Sequence, residues 1–490
     1  MCYKFYKVTL LISFICFSFS SCMKKNLYTG EKNPPNDENL PPNNESSKPG
    51  YLYPFSKEVS GAEAEITINL ASVPQGMQDL DMSLPPLKYN KSLLFMLTQD
   101  DCKQSAFSMT WAAINGKPID VSDPNKKYYY DVENLEAEDL PPSTYSLGKT
   151  LGSTDGFGNE VRFHFTTTLA PQWDFMQAPA TVNPGYKENF FRFYMKAGLR
   201  WNNVREILNT GNGIAFHDLN TLALDHVDSL VKHFAHAQKI TKQSLDGRGV
   251  KFFAEPNGDK RYLTAAMRDP DMETMVAQTG ATKLIPYQVH SDLNKMTFSR
   301  VFVNHSSEVK NLVINELAVD PQQRAAVHIG VHETDHEWAQ FLMWLNDSYG
   351  QEGTDVLWFP SQEEYYEYNY YRQHADVQIN RVGSEIKIKV KFPNRKNFYF
   401  PALTLNISGL KKSMIASISS NEQVTGLTYG DFGDGIGINI DCRKFLYDHA
   451  NHYVKRYLSK RSDSNLADAL YHVQALKDSP SKRDLLKLLE

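Results

Sequence analysis

One short stretch of this sequence, residues 93–101, reads LLFMLTQDD. Its five leading apolar residues predict a buried strand, and the adjacent carboxylates Asp100 and Asp101 follow directly. In α/β barrels the carboxyl ends of the strands carry the chemistry. Because side chains alternate along an extended chain, one Asp can face a cation while its neighbour faces a substrate. The same pattern also fits an Asp-rich turn without any chemical role, which is common after a strand.

Strands and helices alternate on either side of this stretch. Further strands are predicted at residues 161–167, 213–216, 250–254, 284–287 and 327–332, and helices at residues 222–238, 336–349 and 361–374. This alternation predicts an α/β domain with a parallel sheet or barrel. After residue 375 apolar and charged residues alternate, as in EIKIKVKF at residues 385–392, which predicts a small β domain.

These patterns divide the chain into six segments. They are a signal peptide (1–22), a disordered tether (23–50), a β-rich lead-in (51–90), an α/β barrel (91–375), a small β domain (376–440) and a C-terminal helical segment (441–490). The tether is rich in Pro, Asn and Ser and cannot build a core.

The N-terminus has the layout of a targeting segment. Lys4 and Lys7 precede an apolar core at residues 8–19, which is too short to span a membrane as a stable helix. Two serines then precede Cys22, an order similar to that of a bacterial lipoprotein signal. We therefore expect an exported lipoprotein, lipidated at Cys22 and anchored to a bacterial membrane, with the outer membrane preferred. A plain secretory signal with a chance cysteine is the alternative.

Composition excludes some classes of partner. The net charge is −5 without any basic block, which argues against nucleic acid as a partner and leaves the lipid as the expected membrane contact. The 26 tyrosines fit stacking on sugar rings as well as an aromatic core. Cys102 and Cys442 are the cysteines that remain beyond the signal and its lipidation site, and no CxxC pair is present. A catalytic thiol at Cys102 is conceivable, but the neighbouring carboxylates would raise its pKa and oppose formation of the thiolate, so we expect Cys102 to be a packed residue.

Two histidines stand at other predicted strand ends. His217 follows the strand at residues 213–216, and His332 ends the strand at residues 327–332. Each histidine alone is more often structural. Together with Asp100 and Asp101, however, they form a set suited to a divalent metal or to general acid-base chemistry.

The order of these motifs resembles that of the polysaccharide deacetylase family. Its motifs are Thr-Phe-Asp-Asp-Gly, His-x-x-x-His, Arg-x-Pro-Tyr-Gly and a final His at a strand end. The corresponding segments here are Thr98-Gln99-Asp100-Asp101-Cys102, His217-Asp218-Leu219-Asn220-Thr221, Ala254-Glu255-Pro256-Asn257-Gly258 and His332. The resemblance implies a distorted (β/α) barrel that uses a divalent metal, with zinc preferred, to remove acetyl groups from a glycan.

The resemblance also implies roles for individual residues. They are Asp100 as general base, His332 as general acid, Asp101 and His217 as metal ligands, and Pro256 with Asn257 as substrate-binding residues. Two positions depart from the family pattern. Thr221 replaces the second ligand His, for which Asp218 or His226 could substitute, and a neutral hydroxyl is a poorer zinc ligand. Ala254 replaces the Arg that orients the catalytic Asp.

Two other functions remain open. The sequence His332-Glu333-Thr334-Asp335-His336 matches the His-Glu-x-x-His signature of zinc proteases, which needs both histidines one turn apart on a helix. The alternation before His332 instead places the motif across a strand-to-helix junction. The second alternative is a non-catalytic glycan-binding lipoprotein on a barrel that lost the reaction, which the tether, the β domain and the Tyr-rich segment at residues 365–371 also fit.

Overall fold

The computed structural model describes residue 55 and residues 61–72, 80–120, 144–177, 198–219 and 226–490. The predicted signal peptide, the tether, Cys22 and Thr221 lie outside these ranges. Within them, no helix combines the length and the apolar character needed to cross a membrane.

The elements alternate along the described chain. The strands are β1 (Ala62–Leu70), β2 (Met82–Ser83), β3 (Leu93–Gln99), β4 (Ile119–Asp120), β5 (Thr144–Tyr145), β6 (Gly152–Thr154), β7 (Glu160–Arg162), β8 (Thr166–Leu169), β9 (Gly213–Phe216), β10 (Phe252–Ala254), β11 (Thr274–Ala277), β12 (Thr297–Ser299), β13 (Val301–Phe302), β14 (Val327–Val331), β15 (Leu357–Trp358), β16 (Asp376–Val382), β17 (Glu385–Phe392), β18 (Ala402–Ser408), β19 (Ile415–Ser420), β20 (Gly426–Phe432) and β21 (Gly435–Asp441). The helices are α1 (Ala112–Ile114), α2 (Trp201–Asn209), α3 (Val227–Ser244), α4 (Lys260–Arg268), α5 (Ser306–Leu317), α6 (His336–Tyr349), α7 (Gln362–His374), α8 (Leu446–Ser459), α9 (Asp463–Gln474) and α10 (Pro480–Lys487).

A parallel sheet forms the centre of the molecule, with the strand order β13-β14-β3-β8-β9-β10-β11-β12. Its two end strands, β12 and β13, are separated in sequence by Arg300 alone. The sheet therefore closes almost completely on itself, and Arg300 lies at the seam. This confirms the predicted distorted (β/α) barrel.

Strand β3 is buried along its whole length. Leu93, Phe95 and Leu97 pack in the cluster that includes residues of α2, α3 and α6. Leu94 and Met96 point the other way and pack in a second cluster with residues of α7 and the β domain. Burial on both faces explains why this strand reads as an uninterrupted apolar run rather than an alternating one.

The prediction of a strand at residues 284–287 is wrong. Residues Pro286–Gln288 form a single 3₁₀ turn instead. Pro286 has no N–H to donate to a strand ladder, which disfavours a central strand at this point. The barrel strands in this region are β11 and β12, which the sequence reasoning missed.

The additional β structure consists of two antiparallel four-stranded sheets, β16-β17-β1-β19 and β2-β18-β21-β20. Strand β1 comes from the predicted lead-in, and its residues 62–69 pair in register with β17. The lead-in therefore contributes a strand to the same sheet as residues 376–392. The boundaries of the six segments remain a prediction.

The C-terminal helices are held against the barrel by a buried ion cluster. Asp468 on α9 lies 2.5 Å from Lys117 Nζ and 2.6 Å from Arg162 Nη1. All three side chains are almost fully buried. Asp468 is the carboxylate that both cations share, so its removal would leave buried positive charge without this partner, which is costly.

Candidate functional site

The carboxylates that follow β3 sit on a tight turn. The Asp100 amide donates to the Val331 carbonyl at 2.7 Å, which extends the pairing of β3 with β14 by one residue. Asp101 and Cys102 then take φ values of +63° and +50°. Cys102 stands where the resembled motif has Gly, the residue that adopts this backbone conformation without strain. Non-glycine residues in this region cost free energy and cluster at functional sites.

Arg300 reaches over β14 to hold Asp100. Its Nη1 and Nη2 donate to the two carboxylate oxygens at 2.8 and 2.6 Å. Both side chains are 1 % exposed. The Arg300 amide donates to the Ala277 carbonyl at 3.0 Å, which anchors its backbone to β11. A bidentate, charge-assisted pair of this kind fixes the orientation of the carboxylate.

Gly330 on β14 makes room for this arginine. A Cβ atom at Gly330 would lie 2.9 Å from Cδ2 of Phe302 and 3.1 Å from Cδ and Cζ of Arg300. Contacts this short force the neighbouring side chains to move. The glycine in the middle of a buried strand is therefore explained by the path of Arg300 across it.

His217 follows β9 and faces both carboxylates. Its Nδ1 donates to the Ala254 carbonyl at 2.9 Å, since a carbonyl can only accept. Its Nε2 then lies 3.4 Å from Asp101 Oδ1 and 3.8 Å from Asp100 Oδ2. Burial opposes protonation of this ring, but the nearby charges of Asp100 and Asp101 raise the pKa of His217 above its ordinary value.

His332 follows β14 and reaches the same turn from the other side. Its Nε2 lies 3.9 Å from Asp101 Oδ2, and its ring packs on Phe302 with 4.5 Å between centroids. The side chain is 43 % exposed, so it can meet a molecule arriving from solvent. Partial burial lowers the pKa of His332, against the opposite influence of the Asp101 and Asp100 charges. The protonated ring is therefore a stronger acid than an ordinary imidazolium.

Asp101 and His217 fit two ligands of a divalent metal. Carboxylate oxygen and imidazole nitrogen both suit zinc, and a hydrogen bond from the second ring nitrogen to a carbonyl is the usual way of orienting a ligating His. Among the described residues, no group of three or more His, Cys, Asp or Glu side chains is arranged to hold a metal ion. Catalytic zinc sites use three protein ligands, so this pair supplies part of such a set.

The third position of the metal motif is outside the described residues, since Thr221 belongs to the gap before residue 226. Of the two substitutes considered, His226 is exposed at the start of α3. Asp218 lies near Tyr262, where its charge adds to the effect of burial and raises the pKa of that phenol. Either residue as a metal ligand remains a prediction.

The predicted substrate-binding residues lie on the loop after β10. Pro256 is buried, and Asn257 is exposed with a φ of +52°. The loop leaves the same end of the barrel as the Asp turn, because all these strands are parallel. Their contact with a substrate remains a prediction.

The zinc-protease motif does not form the helix that it requires. Strand β14 ends at Val331, and α6 begins only at His336, with Asp335 as its N-cap. His332 and His336 therefore do not lie one turn apart on a helix. His336 Nδ1 is instead 2.6 Å from the Tyr145 hydroxyl, and Glu333 pairs with Lys103 at 3.2 Å.

Arg300 is a candidate functional residue that sequence reasoning missed. A signal was present: residues 297–302 read TFSRVF, an alternating strand pattern with one charge at a position that would face the barrel interior. A single buried charge of this kind needs a partner of opposite charge, and Asp100 is a carboxylate predicted inside the same barrel.

Comparison with known proteins gave one family. A family model described as "Putative polysaccharide deacetylase" matches residues 64–490. A search of curated proteins found no match. The matched range includes the barrel, both antiparallel sheets and the C-terminal helices.

Proposed function

Since the chain belongs to this polysaccharide deacetylase family, we propose that it is a hydrolase that removes acetyl groups from a glycan with the help of a divalent metal. The observation that carries the proposal is the meeting of Asp100, Asp101, His217 and His332 at one end of the barrel, with Arg300 fixing Asp100. This is the set that metal-assisted hydrolysis uses: a base, an acid and metal ligands.

Asp101 and His217 would hold the metal. A divalent cation there, with zinc preferred, would polarise the acetyl carbonyl and lower the pKa of water. The hydrogen bond from His217 Nδ1 to the Ala254 carbonyl keeps Nε2 directed at the carboxylates.

Asp100 takes the proton of the attacking water, and His332 returns a proton to the leaving amine or alkoxide. Each role suits its place. Asp100 is buried and clamped, so its lone pairs keep a fixed direction. His332 is partly exposed and lies on the other side of Asp101, where a bulky glycan leaving group has access.

Arg300 also supports an enzyme over a barrel that only binds glycans. The family pattern places an orienting Arg where this chain has Ala254, and its loss would leave the catalytic Asp unsupported. Arg300 supplies the same charge from the seam between β12 and β13. A buried cation costs free energy unless it is paired, and Asp100 supplies that pairing.

Acetate release from a panel of N- and O-acetylated glycans tests the proposal. The full chain should release acetate, and both Asp100→Asn and His332→Ala should lower kcat by at least about a hundredfold. Metal analysis of Asp101→Ala and His217→Ala should show a lower metal content than the unchanged chain. Glycan binding without acetate release from any substrate would instead favour the non-catalytic alternative.

Glu333→Gln is the matched control. Glu333 is 44 % exposed, lies next to His332, and has no role in the proposed reaction. Its substitution should leave acetate release unchanged. Loss of a peptidase activity with Glu333→Gln and with His336→Ala, but not with Asp101→Ala, would favour the zinc-protease alternative.

We also propose that the chain acts at a membrane surface as an exported lipoprotein. The support is the order of basic residues, apolar core and Ser20-Ser21-Cys22 in the N-terminal sequence. A glycan-modifying enzyme held there by a lipid would meet polymers of the cell surface.

A further inference from the structure

A second pocket lies at the end of the barrel opposite to the Asp turn. It is partly open to solvent. The barrel contributes His164 and Asn212, which precede β8 and β9, and the walls are completed by β20, β21 and the C-terminal helices α8 and α9. The candidate active site is at the other ends of the same strands, so the two sites share no lining residue.

The charged groups around this pocket already have partners. Lys88 pairs with Glu364 at 3.0 Å, and Arg443 pairs with Asp441 at 2.7 Å. Arg248 Nη2 lies 2.5 Å from Glu363. Glu160 lies 3.5 Å from Arg162 Nε, whereas Asp155 accepts hydrogen bonds from Asn159 and from backbone N–H groups rather than pairing with a cation. Because most of these charges are neutralised within the protein, the pocket does not require a charged ligand.

Several polar atoms in the lining nevertheless lack a hydrogen-bond partner, among them Nε and Nη1 of Arg248. Both the amide nitrogen and the amide oxygen of Asn209 lack a hydrogen-bond partner, and so do Nε2 of His164 and Nε2 of His472. Asn209, His164 and His472 are 2 %, 8 % and 6 % exposed, respectively. Buried polar groups are otherwise almost always paired, and each unpaired one costs about 1–3 kcal/mol.

The surrounding contacts hold these groups in place. Asn209 ends α2, and its own carbonyl accepts from His449 Nε2 at 2.6 Å. The His472 ring stacks on Tyr453 with 4.0 Å between centroids, and burial lowers its pKa so far that it stays neutral. His164 Nδ1 is 2.9 Å from Glu364 Oε2, which leaves its Nε2 as the open ring atom.

Aromatic side chains supply flat apolar surface in the same lining. They are Tyr89, Tyr399, Phe400 and Tyr471. Tyr89 also has a φ of +63°, an outlier for a bulky residue and a feature that clusters at binding sites. A few convergent polar groups among apolar and aromatic walls are typical of a small-molecule site.

We propose that this pocket binds the ring of a neutral polyhydroxylated molecule, such as a sugar unit. Each hydroxyl both donates and accepts, so it can satisfy an amide donor, an amide acceptor and imidazole nitrogens together. The apolar C–H faces of the ring pack against the aromatic walls. Uncharged hydroxyls also suit a pocket whose charges are mostly paired, and their oxygens can accept from the unpaired N–H groups of Arg248.

Ligand-detected NMR with the full chain tests this proposal, with glucose, galactose and mannose as neutral probes and glucuronate and glucosamine as charged probes. At least one neutral sugar should bind, and more tightly than its charged counterpart. Asn209→Leu removes both unpaired atoms at similar volume and should weaken binding at least about tenfold. His472→Phe keeps the stack on Tyr453 and should also weaken it.

Asn202→Leu is the matched control, since Asn202 lies on the same helix but does not line the pocket. It should bind like the unchanged chain. His217→Ala should bind too, which separates this pocket from the candidate active site. The proposal is overturned if no neutral sugar binds, if charged probes bind as well or better, or if Asn209→Leu and Asn202→Leu bind equally.

Discussion

The backbone of Arg300 links the two end strands of the barrel, and its side chain holds Asp100. The residue stands between β12 and β13, and its guanidinium donates to both oxygens of Asp100 at 2.8 and 2.6 Å. The point where the sheet joins itself is therefore also the support of the proposed general base. A change at this residue should affect stability and catalysis through separable contacts.

Replacement of Arg300 should impair the reaction. Arg300→Gln leaves the buried Asp100 carboxylate without a countercharge and should lower the free energy of unfolding by about 3–5 kcal/mol. Arg300→Lys keeps the charge but loses the bidentate geometry. We expect Arg300→Lys to lower the free energy of unfolding less than Arg300→Gln does. It should still lower kcat by about ten- to a hundredfold, because the base is no longer held in one direction. Urea unfolding and acetate release measure the two effects.

Arg324→Lys is the control for these variants. Arg324 is also buried, but its guanidinium donates to backbone carbonyls, including those of Glu316 and Ser92. Its replacement should lower stability without lowering kcat in the folded protein. Equal kcat values for Arg300→Lys and Arg324→Lys would contradict a positioning role for Arg300.

Gly330→Ala should disturb the ion pair of Arg300 with Asp100 indirectly. The added Cβ would lie 2.9 Å from Phe302 and 3.1 Å from Arg300, so one of these side chains must move. Overpacking of this kind costs about 1–3 kcal/mol. We expect a fall in kcat together with this loss of stability, measured as for Arg300. An unchanged kcat would mean that Phe302 moves to make room for the added methyl group while Arg300 keeps its hydrogen bonds to Asp100.

The elements that position the site were largely predictable from local pattern. The buried run before Asp100, the strand before His217 and the helix that begins at His336 all appear at or near their predicted bounds. Each is marked by an apolar period and by a polar residue where the element ends. The convergence of Asp100, Asp101, His217 and His332 followed from the parallel arrangement, since the carboxyl ends of such strands meet at one end of a barrel.

What escaped prediction depends on contacts between distant segments. Arg300 and Asp100 are 200 residues apart in the sequence, and no local pattern of residues indicates that they pair. The strand β1 also looked like a separate lead-in, because its partners β17 and β19 lie more than 300 residues further along the chain. The barrel strand β11 was missed although β9, of the same length, and the shorter β10 were predicted, so strand length alone does not explain the difference.

Cys102→Ala should leave acetate release unchanged. The thiol is buried, and burial raises the pKa of Cys102 to about 12, so almost none of it is thiolate at neutral pH. An inactive Cys102→Ala that still unfolds as one cooperative transition would indicate a catalytic thiol. Iodoacetamide treatment of the folded chain gives an independent check and should not reduce activity.

Cys22→Ala should release the protein from the membrane. Lipidation at Cys22 is proposed as the membrane attachment, on the order of basic residues, apolar core and Ser20-Ser21-Cys22 in the N-terminal sequence. Fractionation of cells should find the unchanged chain in the membrane pellet and the variant in the soluble fraction. A variant that stays in the pellet, at high salt as well as low salt, would contradict the lipid anchor.

Asp468→Asn should destabilise the chain by about 3–5 kcal/mol at neutral pH, because it leaves Lys117 buried without its countercharge and Arg162 with Glu160 alone. Asp463→Asn is the control: it lies on the same helix α9 but is exposed. It should cost less than about 1 kcal/mol, the usual size of a helix-end charge effect. Equal losses for both variants would show that the buried cluster contributes nothing beyond an ordinary surface charge.

The pH dependence of this effect has a defined direction. Burial disfavours the charged carboxylate, but Lys117 and Arg162 outweigh it and lower the pKa of Asp468 below its usual value of 3.8. A carboxyl with a lowered pKa stabilises the folded state fully above the unfolded pKa and progressively less as the pH falls below it. The stability difference between the unchanged chain and Asp468→Asn should therefore be constant from pH 7 to pH 5 and shrink below about pH 4. Urea unfolding across this range measures it, and a difference that grows on acidification would contradict the cluster as the cause.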